Sequence, residues 1–421
     1  MKKLILLFVF AGIIFSLSAC GSEPVDLTIW AWNRNVDILI DAVERYKEEV
    51  DSEFNATVLS FSQGDIDTKF MAAKELNNPE TMADVILVDS MKLRGYYDMW
   101  PEIFETFDIS GDAAEKFVSS TIEVATINNK LVAMPYGIAP TYVFAYKPLW
   151  DTNVINDILE NGWTWDEYKT VGLDIISNNT DKDVFMTAYN MRGDDRLYRT
   201  MTSQKGEWFM SRDIEVQVGN SNSLQAMSWV KDLYDSGVVG HIDTGDYKSM
   251  MINGQIAAQI QGFFLGGQIK SIGEDTSGDW ILLPLPSWDE NESSASITGG
   301  SYLYVNAFSD QTKGAKEFTE WYTLNADALV SGLEIGGIFP ALLDAYEHEY
   351  FKQEDAFFGN QKYLEQVASN IHEAPAIFAS KYNAYNYNQY ILGQEDILFN
   401  DASIQDTLNE VKASILENAQ E

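Results

Sequence analysis

Apolar and polar residues alternate at the start of "VDLTIWAWN": Val25, Leu27 and Ile29 are separated by Asp26 and Thr28 and followed by Trp30, which predicts a β-strand that Asn33 to Asn35 end. The alternation is read as turning Trp30 away from Trp32, so that one of the two indoles enters the core. From Val36 to Val50 the period changes, with Ile40, Val43, Tyr46 and Val50 spaced as on one buried helix face. Asn55 to Phe61 reads as a second strand, Asp65 to Leu76 as a second helix, and "ADVILVD" as a short buried strand ending at Asp89. Strand and helix alternate here as βαβαβ, which predicts a parallel, helix-covered sheet and an α/β fold.

The pattern then breaks. "KLVAMPYGIAPTYVFAYK", Lys130 to Lys147, reads as two extended runs around Pro-Tyr-Gly and Ala-Pro, where the chain is expected to pass between lobes. In "GWTWDEYKTVGLDII", Thr164 stands at an N-cap and Glu167 at the capping-box position. Helices follow at Ser223 to Asp235 and Asp246 to Asn253, and strands at "VFMTAY", "IAAQIQ" and "WILLPLP". "ITGGSYLYVNAF" is a Gly-Gly turn and an alternating strand, "TKGAKEFTEWYTL" an amphipathic helix, and "SWDENESSAS" a surface loop. Ile404, Leu408, Val411 and Ile415 make one stripe of a closing helix over Ser403 to Glu421.

The N-terminus follows a different logic. Lys2 and Lys3 precede an apolar run from Leu4 to Leu17, too short for a spanning helix and laid out as a secretory signal over residues 1–19. The sole cysteine, Cys20, follows Ser18 and Ala19; "LSAC" resembles the lipobox of bacterial lipoproteins, in which the cysteine takes a diacylglyceryl group and becomes the mature N-terminus. Each buried methylene of such a chain contributes about 0.8 kcal/mol to membrane anchoring. Residues 20–24 are then a lipidated tether on the outer face of a bacterial membrane.

Charge narrows the partners. Formal net charge is −36, and removing the two signal lysines takes it to −38, which opposes nucleic acid and anionic lipid surfaces. With 46% apolar and 13% aromatic residues the chain can bury large cores, and its length calls for two of them.

Taken together, "LTIWAWN", "ADVILVD", "NNKLVAMPYG" with "YVFAYKPLWD", "GWTWDEY", "NGQIAAQIQGFF" and "ITGGSYLYVNAFSDQTKGAKEFTEWY" resemble the family 1 extracellular solute-binding proteins of ABC importers, the maltose-binding-protein-like group. The resemblance implies a two-lobe periplasmic-binding-protein fold of type II with discontinuous lobes, 25–138 with 300–338 and 139–299 with 339–421. It implies hinge crossings near Gly137 to Tyr142, Ile297 to Ser301 and Gly336 to Pro340. It also implies a monomer that needs no cofactor, closes on a ligand and hands it to permease subunits.

A neutral oligosaccharide is the expected ligand: its C–H faces want flat rings and its hydroxyls want carboxylates and amides. Ligands of open α/β sheets lie beyond the carboxyl ends of the strands, which selects Trp32, Asn33, Gln63, Asp65 and Asp89. The resemblance adds Tyr136 and Tyr142 beside the crossing, Phe263 and Phe264 where the family has a tryptophan, and Tyr382 and Tyr385 one helical step apart. Gly300 and Ser301, after Gly299, form a turn in which bare backbone can approach a ligand or simply hinge. Arg192 and Trp208 lie in an irregular stretch that nothing in the sequence aims.

Polyamine binding is the main alternative, through acids and cation–π contact. A surface glycoside-active enzyme and an adhesion domain are weaker ones. No nucleophile elbow or phosphate loop occurs, and His241, His348 and His372 are isolated and lack zinc spacing. "NTDKD" at Asn179 lacks the glycine and final acid of a calcium loop, so no metal is expected.

Overall fold

The structure is a computed structural model that describes residues 25–109, 111–180, 183–243 and 247–420; the signal, Cys20 and the tether fall outside the described residues. Three parallel strands come first: β1 (Asp26–Ala31), β2 (Asn55–Ser60) and β3 (Val85–Asp89), with β1 in the middle. The helices that connect them match the expected βαβαβ run. The first, Asn35–Glu49, buries Val43 and Tyr46 of the expected stripe together with Ile38, Leu39 and Ala42, whereas Ile40 and Val50 of that stripe stay exposed. Both faces of the pattern carry apolar residues here, and packing against β1, β2 and the helix Ala326–Gly336 selects between them.

The second connecting helix, Gln63–Glu75, starts earlier than expected because Ser62 and Asp65 form a capping box. The predicted box at Thr164 and Glu167 forms as well, and opens the helix Trp165–Asn178. Positions 30 and 32 share the same parity of the pleat, contrary to the separation expected, and β1 ends between them at Ala31; both indoles are buried.

A short hairpin, β4 (Thr126–Ile127) and β5 (Lys130–Leu131), leads into β6 (Met134–Tyr146). After it come β7 (Thr187–Tyr189) and β8 (Val239–His241), which pair in parallel, and then β9 (Ala258–Gly262), β10 (Trp280–Leu283), β11 (Ile297–Val305) and β12 (Phe339–Pro340). Eight strands form one mixed sheet in the order β10-β6-β11-β3-β1-β2, with β9 and β12 also paired to β6.

The spine of this sheet corrects the two-run reading of Lys130 to Lys147. β6 is one strand of 13 residues, almost wholly buried. Proline lacks the N–H that a ladder needs, so it is tolerated where the partner strand is irregular. Pro135 and Pro140 pair with Tyr302 and Ile297 of β11, next to register shifts in that strand. The strand therefore survives its prolines, and its partners change along it: β11 and β12 up to Pro140, then β9 and β10 from Thr141 onward.

Side chains follow the same division. Leu27, Ile29, Phe70, Leu87, Tyr136, Tyr304 and Phe318 belong to one hydrophobic core. Beyond Gly137, Ile138, Tyr142 and Phe144 enter a second with Phe263, Trp280 and Phe358, while Val143 and Ala145 on the other face enter a third with Trp165, Tyr198, Phe209 and Tyr390. The closing helix, Ile404–Gln420, buries Leu408, Val411 and Ile415 in that third core as the stripe predicts.

Candidate cleft between two polar rims

One rim stands at the carboxyl ends of β1, β2 and β3. Trp32, Gln63, Asp67, Asp89, Lys92 and Tyr96 line a small cavity there, with Ile66, Leu87 and Val88 behind them. Phe70 stacks on Tyr96 with ring centroids 4.1 Å apart, and this fixes the Tyr96 hydroxyl where it donates to Asp67. Lys92 donates to the same carboxylate. Asp89 is the N-cap of the helix Ser90–Met99 and accepts from the Met91 N–H at 2.8 Å. Burial pushes its carboxyl above the ordinary aspartate range, with Asp67 adding to the rise; the Met91 N–H, Lys92 and Arg199 pull the other way.

Of the other residues expected here, Gln63 is partly buried in this cavity. Asn33 is exposed in a left-handed turn at φ 51°. Asp65 does not join the cavity: its carboxylate turns back to accept from the Ser62 N–H and hydroxyl, and these bonds hold it below the usual carboxylate range. Asp67, two residues on, stands where the sequence suggested Asp65.

β11 runs past this rim, with Ser301 opposite Asp89 and Gly137. Gly299 sits at φ +150°, and a Cβ on it would fall 3.2 Å from the Ser90 hydroxyl. Gly300 donates its N–H to that hydroxyl and is buried; a Cβ on it would meet the Gly137 carbonyl at 2.9 Å. The glycine pair thus allows β11 to approach β6 and the start of the helix Ser90–Met99 closely, and that approach closes off the backbone of Gly300.

The predicted tyrosines are turned inward. Tyr136 is buried in the first core, donates to Asn35 Oδ1 and packs on Tyr322. Tyr142 is buried and donates to Asn370 Oδ1. Phe263 is buried, stacked on Tyr363 at 5.6 Å. Tyr385 shares a hydrogen bond with Ser414 on the closing helix at 2.8 Å, and Tyr382 reaches Ala419 of the same helix. Phe264 differs from its neighbour: it is 38% exposed, beside Gly262 and Thr298.

The second rim was not singled out in the sequence. It is built from "DDRLYR": Asp194, Asp195 and the helix Arg196–Ser203, which packs on β11. Arg196 pairs with Asp194 and Arg199 with Asp195, each at 3.3 Å. Trp208 donates its indole N–H to Asp195 at 2.9 Å, and the Arg199 guanidinium lies over the Trp208 ring at 5.4 Å. Burial raises the Asp194 carboxyl despite Arg196. The Arg196 guanidinium loses solvation, yet the field of Asp194, Tyr189, Tyr247 and Asp195 outweighs that loss and raises it. Tyr387 donates to the Gly193 carbonyl at 2.7 Å; burial first, and then Asp195 and Asp194, push its hydroxyl up to about 12. The readable signal was an acid four residues before an arginine, Asp195 to Arg199, inside an apolar surrounding. Arg192, by contrast, is spent on Glu395 and the Phe399 ring.

The rims belong to bodies that touch. Arg212 donates to the Thr126 carbonyl at 2.8 Å, and a Cβ on Gly95 would lie 3.4 Å from Lys381 Cα. A crevice is lined by Ser90, Arg94 and Thr126 on one side and by Arg212, Phe378 and Ser380 on the other. Among the described residues no group of three His, Cys, Asp or Glu side chains could hold a metal ion, and no helix is long and apolar enough to cross a membrane.

The chain is 24% identical over 378 residues to the lactose-binding protein of Rhizobium radiobacter, covering 87% of this chain and 86% of that one. Its fold matches the sugar-binding protein MalE of Xanthomonas citri with a TM-score of 0.76 at 14% identity, covering 94% and 98% of the two chains. It matches the galacto-N-biose/lacto-N-biose I-binding protein of Bifidobacterium longum with a TM-score of 0.74 at 14% identity, again covering 94% and 98%. These are two-lobe binding proteins with a mixed sheet, as here. The profile of the bacterial extracellular solute-binding proteins matches residues 41–359, most of the chain, and the chain therefore belongs to that family.

Proposed function

We propose that this chain captures a neutral carbohydrate, an oligosaccharide, in the cleft between its two rims and delivers it to the permease of an ABC importer. The observation that carries this reading is the charge balance of the rims. Asp67, Asp89, Asp194 and Asp195 stand against Lys92, Arg196 and Arg199, four acids to three bases, in a chain whose net charge is −36. A cationic polyamine would meet two arginines and a lysine, and an anion would meet four carboxylates. An uncharged hydroxyl-rich guest meets donors and acceptors of both kinds, each hydrogen bond to a charged group contributing roughly 1.5–3 kcal/mol. The exposed ring of Phe264 and the part of Trp32 that lines the strand-end cavity supply apolar surface for C–H faces. The ligands named for the relatives, lactose and lacto-N-biose, are of this class.

The proposal includes lobes of 25–138 with 300–338 and 139–299 with 339–421. The change of partners along β6 at Pro140 and the change of core after Tyr136 support that division. It includes a monomer held outside the cell membrane by lipid on Cys20, and a binding role without turnover.

Thermal melting of the mature domain with lactose, lacto-N-biose, maltotetraose and spermidine tests the ligand class, since a ligand that binds only the folded state raises the midpoint. A shift with a sugar and none with spermidine is expected; the reverse would replace the carbohydrate reading with the polyamine one. Release of nitrophenol from aryl glycosides would add an enzyme. Substituting Cys20→Ala should move the protein from the membrane fraction to the medium.

A further inference from the structure

An open groove of about 730 Å³ lies over the first hydrophobic core and shares no residue with either rim. One wall is the end of the helix Asn35–Glu49 with Val50; the other is the second half of the helix Thr312–Leu324 and the start of the helix Ala326–Gly336. The Asn325 amide reaches from one wall to Glu49 on the other at 3.4 Å. The groove's place follows from the parallel start of the sheet. The helix after β1 must run back along the strands, so Tyr46 and Val50 arrive where β2 begins at Asn55, whereas Trp32 and Asp89 stand at the opposite, carboxyl ends. Its floor is aromatic: Tyr46 meets Trp321 edge-on at 5.1 Å and is backed by Phe54 and Phe318 at 4.5 and 5.5 Å. Leu324 is half-buried, and Val50 is 52% exposed. Glu317, Glu320 and Asp327 line the groove, and no lysine or arginine does so among the described residues. Lys316, the cation beside them, is spent on Glu105 and the Thr106 carbonyl. Lys313 comes within only 3.7 Å of Glu317 from an exposed position, and Asp327 has His348 at 3.9 Å. Partial burial raises the Glu320 carboxyl; Lys316 pulls it down, and Glu317 and Asp108 add to the rise.

We propose that this groove docks a basic, arginine-bearing segment of a partner protein, with an apolar side chain of the segment on Val50 and Leu324 and its guanidinium groups on Glu317, Glu320 and the Trp321 ring. Charge complementarity selects this occupant. Three acids without a lining base attract cations, and a guanidinium can fork onto a carboxylate while its plane lies on an indole, which a lysine cannot do. A second copy of the chain brings the same net charge of −36, and an anionic lipid surface is negative as well, so both are repelled. The groove is open rather than enclosed, which suits a stretch of chain and not a small ligand. Because it stands at the other end of the strands from Trp32 and Asp89, the docking is independent of the carbohydrate reading.

The test uses the mature chain and a short fluorescein-labelled peptide of alternating arginine and leucine, titrated by fluorescence anisotropy beside the same peptide with glutamate for arginine. The arginine peptide should bind saturably and the glutamate peptide should not. Glu317→Gln combined with Glu320→Gln should weaken the arginine peptide about ten-fold, as should Val50→Lys, which places a cation in the groove at an exposed position and leaves the core intact. A charge-matched control neutralises two exposed acids of the closing helix, Glu410→Gln with Glu417→Gln, and should stay within about two-fold of the parent. Equal weakening by that control would reduce the binding to the net charge of the chain and overturn the site. So would a lack of saturable binding by the parent. Sedimentation of the parent and of Val50→Lys, and flotation of both with phosphatidylglycerol vesicles, test the other occupants: self-association or vesicle binding that Val50→Lys abolishes would give the groove to a second copy or to lipid and overturn the basic partner.

Discussion

The two rims reach a similar chemistry by opposite constructions. The first hangs on strand ends: β1, β2 and β3 stop at one edge of the sheet, and Trp32, Gln63 and Asp89 follow from where they stop. The second is a loop and a short helix whose charges are paired within "DDRLYR" and clamped by Trp208 from outside that segment. The difference teaches that a site set by sheet geometry can be read from periodicity, whereas one set by side-chain pairing in irregular chain needs the packed structure. It also predicts different responses to substitution.

The largest effect is expected at the strand-end rim. Trp32 is buried at 7% exposure, and Trp32→Ala should cost about 3–5 kcal/mol of stability. Urea unfolding would measure it. A loss below about 1 kcal/mol would mean that the indole is not structurally seated, and the rims would then be equally soft.

At the second rim Trp208→Phe keeps the ring and removes one donor. It should cost about 1–3 kcal/mol, because Asp195 loses the indole N–H inside a buried site. Unchanged stability, read in the same unfolding experiment, would show that the rim is not clamped by this bond.

Within the first rim the two aspartates separate by sign. The Asp89 carboxyl is raised in the fold, so the folded state binds its proton more tightly than the unfolded chain does. Its penalty is absent below the unfolded pKa and complete above the folded one. Asp89→Asn should therefore raise the melting midpoint of the free protein at neutral pH, and the gain should vanish as pH falls through the unfolded aspartate value, about 3.9. A midpoint lowered at neutral pH would mean that the charge is stabilising there.

The smallest effect belongs to Asp65, whose lowered carboxyl contributes stability above its unfolded pKa and loses it as pH falls through the folded one. Asp65→Ala should lower the melting midpoint slightly at neutral pH, less at acid pH, and leave sugar affinity as in the parent. A loss of affinity would return Asp65 to the site.

Much of the fold was legible because its signals are local. The βαβαβ start, the Thr164 capping box and the closing helix depend on residues within one or two turns of each other. The tyrosines were misjudged for the same reason in reverse. Tyr136 and Tyr142 both belong to β6, but their hydroxyls find Asn35 and Asn370, about a hundred and two hundred positions away along the chain. Phe263 and Phe264 are adjacent, yet one stacks in the core and the other is open, since adjacent side chains at a strand end leave the backbone in different directions.

From residue order alone came the α/β class, the strand ends that carry Trp32 and Asp89, and the segments by which the family is recognised. Packing settled which face of the first helix is buried, that Asp67 and not Asp65 enters the cavity, and that Asp195 is clamped by Arg199 and Trp208. Periodicity and capping are properties of a few consecutive residues, while the direction of a side chain depends on what lies against it, and those neighbours are brought there only by the folded chain.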